Sequence, residues 1–235
     1  MSTSYVFPPP PPVSVPVRGR PDRFAVRRIY CVGRNYVDHA QEMGFTGREP
    51  PFFFLKPGDA LVPVEEGDTG VIPYPSQTGD FHYEVELVVA IGKGGSDIDA
   101  SVASAHVFGY AIGLDMTRRD LQMAMRKAGR PWCIGKAFDR SAPISPIVPA
   151  QEAAQIGDAA IRLQVNGCER QSSRTSKLIW NVGEILVHLS TAWELRPGDL
   201  IFTGTPQGVG AVVPGDHMIS SIDGLGTLSV RVHGA

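Results

Sequence analysis

Between Asp80 and Gly94 the chain reads DFHYEVELVVAIGKG, and apolar and polar positions alternate as a strand requires. Phe81, Tyr83, Val85, Leu87, Val89 and Ile91 fall on one face, and His82, Glu84, Glu86, Val88 and Ala90 on the other. The first face predicts core. The second carries two carboxylates about 6–7 Å apart along the strand. Val88 and Ala90 follow at once, so the strand is running inward. Like charges in an interior repel and lose hydration. Glu84 and Glu86 therefore either line an ordinary solvated face or share a divalent cation.

The same pattern predicts the neighbouring elements. Arg28 to Val32 is a buried strand ended by Gly33, and Asn35 to Met43 a short helix closed by Gly44. On that helix His39 and Glu42, three apart, share a face. Phe52 to Leu55 is an apolar strand and Ala100 to Ala105 a short helix. His106 to Leu114 is a second interior strand with Asp115 at its end. Thr117 and Asp120 predict a capping box for a helix running to about Lys127 and stopping at Gly129. Arg119, Gln122 and Arg126 share one face of it. Residues 130–147 read as Pro-rich and irregular. Ile161 to Val165 and Cys168 to Ser172 form a hairpin through Asn166-Gly167. Asn181 and Glu184 cap a helix to about Leu195, with Ile185, Leu186, Leu189 and Trp193 inward. Strands over Leu200 to Thr203 and Leu228 to Val232 flank the glycine loop GTPQGVG.

Composition narrows the class. At 235 residues and 43% hydrophobic the chain can bury a sizeable core. A net charge of −2 gives no footprint for nucleic acid or an acidic membrane surface. No apolar run is long enough to span a bilayer, and MSTSYVFPPPPP has neither the charged nor the apolar region of a secretory signal. Three widely spaced cysteines argue against a disulfide framework and a zinc site, and for a cytoplasmic location. The 26 glycines and 20 prolines favour strands and turns over helices. Residues 1–25 are expected to form a proline-rich N-terminal arm, stiffened by Pro8 to Pro12 and carrying an edge strand over Val13 to Val17. The arm is expected to lie along the body or a second subunit. Residues 26–235 are expected to form the catalytic domain.

Asp115 offers a third carboxylate at a strand end. Three carboxylates without histidine or thiolate suit a hard cation, Mg²⁺ or Mn²⁺. Beyond this point the chain resembles a known family. CVGRNYVDHAQEM (31–43), FFFLKP (52–57), HYEVELVVAIGKG (82–94), GLDMTRRDLQ (113–122), GKAFD (135–139), VNG (165–167) and FTGTPQGVG (202–210) are similar to the fumarylacetoacetate hydrolase family, over nearly all of residues 28–232. The resemblance implies an α+β fold, a mixed β-roll or β-sandwich barrel core with a few short helices, and a homodimer. It implies Glu84, Glu86 and Asp115 as metal ligands and His39 with Glu42 as the acid/base dyad. It places Arg119, Gln122, Lys136 and Thr205 in the substrate site. YVFPPPPPVSVPV, REPPFFFLKPGDAL and SKLIWNVGEI resemble the members that hydrolyse fumarylpyruvate in gentisate breakdown.

The expected reaction splits a fumarylpyruvate-like diketo acid into fumarate and pyruvate. The cation acts as a Lewis acid on the keto-acid end. His39 is the base that deprotonates water, and Glu42 orients its ring. Lys136 faces the enolate or carboxylate, and Gln122 or Thr205 the oxyanion. A distal carboxylate needs its own cation, for which Arg34 is expected and Arg118 is the second choice. Two alternatives stand beside this reading: oxaloacetate decarboxylation or keto-acid isomerisation at the same site, and a non-catalytic dimer that binds metal and keto acid. Arg119 and Arg126 also read as ordinary solvated helix residues.

Overall fold

The computed structural model describes residues 4–36, 48–153 and 155–234. Strands dominate. Among the described residues one large sheet has the strand order Phe52–Lys56, Ile29–Gly33, Leu200–Phe202, Val85–Ile91, Val107–Leu114, Ala142–Ile144 and Leu61–Pro63, with Val148–Pro149 added beside Val107–Leu114. It is mixed: Leu200–Phe202 runs parallel to Ile29–Gly33, and Ala142–Ile144 parallel to Leu61–Pro63, while its other neighbours are antiparallel. A second sheet has the order Cys168–Arg174, Ala160–Val165, His217–Ile222, Gly226–His233 and Thr69–Pro73. The sheets curl into a half-barrel with few helices, the architecture expected.

Every residue of Val85–Ile91 is buried. Val85 and Leu87 pack with Ile161, Leu163, Met218 and Val230 of the second sheet. Val88 and Ala90 pack with Cys31, Ala111 and Phe202. Val89 and Ile91 meet Ile185, Leu186 and Leu189 of a helix. A central strand covered on both faces tolerates polar side chains only where they are paired.

The helices are α1 (Arg119–Lys127), α2 (Cys133–Lys136) and α3 (Val182–Ala192). α3 opens on the expected capping box: Asn181 Oδ1 accepts from the Glu184 amide at 3.1 Å, and Glu184 Oε2 accepts from the Asn181 amide at 3.0 Å. It ends at Ala192, with Trp193 half-buried beyond it. The hairpin also forms, with φ of 51° at Asn166 and 81° at Gly167, the positive pair that matches strand twist.

Three expectations need correction. The strand through Asp80 to Gly94 is two strands, Phe81–Tyr83 and Val85–Ile91, which belong to different sheets. Its second face runs inward as expected, with Val88 and Ala90 packed against Cys31 of the Ile29–Gly33 strand, Ala111 and Phe202. Thr117 caps no helix. It pairs with His82 in a short strand, so α1 starts at Arg119 without a side-chain cap. The stretch 130–147 contains α2 and the strand Ala142–Ile144 rather than irregular chain. The helix expected from Asn35 lies, beyond Tyr36, outside the described residues, as do His39 and Glu42.

At the N-terminal end Ser14–Pro16 pairs with Arg23–Ala25, and Val15 and Val17 are buried. Tyr5, Val6 and Phe7 are exposed.

Candidate active site

Glu84 occupies the break between the two strands that replace the single one expected. Its backbone C=O accepts the Asp115 N–H at 2.9 Å, which fixes the two residues opposite each other at the ends of their strands. Glu86 is two residues further in, across from Gly113. One ligand atom from each of Glu84, Glu86 and Asp115 lies within 4.8 Å of the others. All three are buried, at 6%, 2% and 1% exposure. Burial, and then the Asp115 and Glu84 carboxylates, push the Glu86 carboxyl well above the usual range.

Cations surround the cluster. Lys136, the last residue of α2, donates from Nζ to Glu84 Oε2 at 2.8 Å, Asp115 Oδ2 at 2.7 Å and Thr117 Oγ1 at 2.7 Å. Burial alone would lower its pKa, but the two carboxylates outweigh burial and raise it. Lys56 Nζ lies 2.9 Å from Asp115 Oδ1. Its hydrogen bonds go elsewhere, to Met116 O at 3.2 Å, Ser141 Oγ at 3.0 Å and the Lys136 carbonyl. Arg119 Nη2 pairs with Glu84 Oε1, and Nη1 donates to Gln122 Oε1 at 2.5 Å. Glu86 Oε2 accepts the Gly204 amide at 2.8 Å. Gly204 has φ +104°, and a Cβ there would lie 2.8 Å from Asn35 Cβ, so only glycine can present this N–H.

This donor set fits a hard divalent cation. It is all oxygen, anionic and buried. Asp115 Oδ1, buried, accepts no hydrogen bond among the described residues and has only the Lys56 ammonium facing it, which leaves it a lone pair for a cation.

The cluster opens into a small cavity of about 40 Å³. Arg34, Glu84, Glu86, Asp115, Arg119, Gln122, Lys136 and Thr205 all line it, with Phe54 and Trp132. Every described residue expected in the site is therefore brought to one place. Arg34 holds φ 55°, rare for a side chain with a Cβ. The next residue anchors it: Asn35 Nδ2 donates to Trp180 O at 2.9 Å and Thr203 O at 2.8 Å, and Oδ1 accepts Trp180 N–H at 2.8 Å. Thr205 Oγ1 accepts from Gln171 Nε2 at 2.8 Å, and Gln171 Oε1 accepts the Val85 N–H at 3.0 Å. Arg118 is directed elsewhere, its guanidinium 4.3 Å from the Phe138 ring centre.

Lys56, Gln171 and Gly204 were not assigned roles from sequence. Lys56 had a legible signal: Phe52, Phe54 and Lys56 share one face of an otherwise apolar strand, which points a lysine inward. A larger cavity of about 550 Å³ adjoins the site and shares Arg34, Phe54, Trp132 and Lys136 with it.

Comparison with known proteins gives consistent matches. The sequence profile of the Fumarylacetoacetate (FAA) hydrolase C-terminal family matches residues 28–233. The crystal structure of fumarylpyruvate hydrolase from Pseudomonas aeruginosa, in complex with Mn²⁺ and pyruvate, is 61% identical, covers 99% of this chain and 100% of that one, and superposes with a TM-score of 0.97. A fumarylpyruvate hydrolase from a Ralstonia species is 50% identical over 184 residues, 78% of this chain and 93% of the relative. A mitochondrial oxaloacetate decarboxylase from Dictyostelium discoideum is 40% identical over 201 residues, 86% of this chain and 91% of the relative.

Proposed function

Because the chain belongs to the fumarylacetoacetate hydrolase family, we infer that it is a metal-dependent hydrolase that cleaves the C–C bond of fumarylpyruvate to give fumarate and pyruvate. The buried Glu84–Glu86–Asp115 cluster carries this reading. The relatives at 61% and 50% identity favour it over oxaloacetate decarboxylation, whose example stands at 40%. The cofactor is Mn²⁺ or Mg²⁺, held by Glu84, Glu86 and Asp115.

Held by Glu84, Glu86 and Asp115, Mn²⁺ or Mg²⁺ would supply Lewis acidity at the keto-acid end of the substrate. The protein's own groups do the rest. Lys136 Nζ, a buried cation beside two of the carboxylates, supports negative charge building at the pyruvate end. His39 takes a proton from water, with Glu42 steadying the imidazolium. The water oxygen bonds to the distal carbonyl carbon. The C–C bond then breaks, and its electron pair leaves as the enolate of pyruvate, which takes up a proton. Gln122 and Thr205 face the developing oxyanion. Arg119, tied to both Glu84 and Gln122, keeps ligand and substrate contact in register. Arg34, which lines both cavities, flanks the path of the acyl tail as it leaves the carboxylates.

The finer reading is a cytoplasmic homodimer working in aromatic (gentisate) catabolism, with residues 1–25 as a proline-rich arm. All three cysteines are free, which suits a reducing compartment. A solution mass of twice the 25.3 kDa chain checks the dimer. The test of the activity is a panel of fumarylpyruvate, acetylpyruvate and oxaloacetate, read with the chelated protein and again after Mn²⁺ or Mg²⁺. Metal-dependent loss of the fumarylpyruvate enolate absorbance, faster than turnover of the other two, is expected. Faster decarboxylation of oxaloacetate would reverse the assignment.

A further inference from the structure

The pit around the carboxylates, about 40 Å³, is far smaller than the cavity of about 550 Å³ beside it. A diketo diacid cannot fit inside the pit alone. We propose that the larger cavity receives the acyl tail of the substrate and that Arg130 binds the tail's terminal carboxylate, making this residue a determinant of specificity for diacids. The proposal rests on the hydrolase reading above.

Three observations carry it. First, the two cavities share Arg34, Phe54, Trp132 and Lys136, so a molecule anchored at the carboxylates extends directly into the larger space. Second, the walls suit a flat, conjugated chain. Trp132 stands edge-on to Phe52 with ring centres 5.2 Å apart and lies 5.9 Å from Phe54. Aromatic surface favours a planar unsaturated tail without restricting its sequence of atoms. No Asp or Glu among the described residues lines this cavity. Third, its basic residues are graded along the path. Arg34 lines both cavities, whereas Arg130 lines only the larger one.

Arg130 is placed by the end of α1. Gly129 adopts φ +62°, and the Arg130 N–H returns to Met125 O at 2.9 Å. This is a glycine-terminated helix end, followed at once by Pro131, so the chain leaves in one direction. Among the described residues Arg130 has no ion-pair partner, so its guanidinium gives up no carboxylate on meeting a ligand. A guanidinium meets a carboxylate through two parallel hydrogen bonds, and an acetyl tail offers it nothing.

The test compares wild-type chain, Arg130→Met and Arg130→Lys, all loaded with Mn²⁺. The readouts are the ratio of kcat/KM for fumarylpyruvate over acetylpyruvate and the Kd of fumarate by calorimetry. Arg130 is exposed, so neither substitution disturbs the core. Arg130→Met should lower the ratio and weaken fumarate each by about tenfold, the scale of a charge-assisted contact at a wet site, and Arg130→Lys should recover part of both. A ratio and a fumarate Kd equal to wild type would overturn the proposal. If the wild-type chain hydrolyses neither substrate, the hydrolase reading fails on its own, and fumarate binding alone decides Arg130: weakening in Arg130→Met supports it and an unchanged Kd overturns it.

Discussion

Lys56 Nζ and Asp115 Oδ1 face each other at 2.9 Å, with their side chains at 0% and 1% exposure. Removing one partner of such a pair strands a buried charge. Lys56→Met should destabilise the metal-free chain by about 3–5 kcal/mol in urea titration. Mn²⁺ should then raise the melting temperature of the variant by more than it raises that of wild type, because the ion replaces a lost positive charge. An equal increment would mean that Lys56 acts only through its bonds to Met116, Ser141 and Lys136.

Glu86→Gln and Asp115→Asn should each abolish measurable Mn²⁺ binding in calorimetry, since a neutral amide replaces an anionic ligand in a set of three. Glu86→Gln should nevertheless fold at least as stably as the metal-free wild type at neutral pH, because a neutral amide escapes the burial and like-charge cost that raises the Glu86 carboxyl. Wild-type affinity in either variant would move the metal elsewhere.

The raised Glu86 carboxyl fixes the direction of a pH effect. In the metal-free fold it keeps its proton at pH values where the unfolded chain has lost it. Its contribution is therefore complete below the ordinary carboxylate range and is lost as pH rises through the raised value. Metal needs the carboxylate, so binding should expel this proton. Calorimetric Mn²⁺ titrations in buffers of different ionisation enthalpy should give different apparent heats, with greater proton release at lower pH. Identical heats would show that Glu86 is already ionised.

His39→Ala should reduce turnover by about 10²–10⁴, the usual loss for a general base, with Mn²⁺ binding intact. Glu42→Gln should slow the same step. Oxaloacetate decarboxylation activates no water, so His39→Ala should cost it much less. An equal loss on both substrates would remove His39 from water activation.

Gly204→Ala forces a Cβ to within 2.8 Å of Asn35 Cβ at φ +104°. The strain should cost about 1–3 kcal/mol. It should also tilt the N–H that Glu86 Oε2 accepts at 2.8 Å, weakening Mn²⁺ as well as lowering the melting temperature. Loss of stability without loss of affinity would confine Gly204 to a structural role.

Local patterning made much of this legible. Asn166-Gly167 and the Asn181–Glu184 box have their chemistry within four residues, and both formed as read. Alternation found the strand that carries Glu86 but not the break at Glu84, because Phe81–Tyr83 pairs with Thr117–Arg118 and Gly210–Ala211, both remote in sequence, and not with the neighbours of Val85–Ile91. Thr117 looked like a cap because nothing local shows that Lys136 takes its hydroxyl. Gln171 is an ordinary residue on a hairpin until the fold puts Thr205 against it. Thr69–Pro73 and His217–Ile222 lack clean apolar alternation, so their pairing emerges only with the second sheet.

The place of Leu200–Phe202 in the large sheet has a consequence for how the chain is made. It lies between Ile29–Gly33 and Val85–Ile91, both much earlier in sequence. During synthesis those two strands must wait with unpaired edges until the chain has passed Leu200, and Gly204 reaches Glu86 only then. Closing the sheet and completing the acidic cluster are thus one late, long-range event, of the kind that folds slowly and leaves edges open to other chains. A chain released before that strand emerges would hold every ligand and still have no finished site.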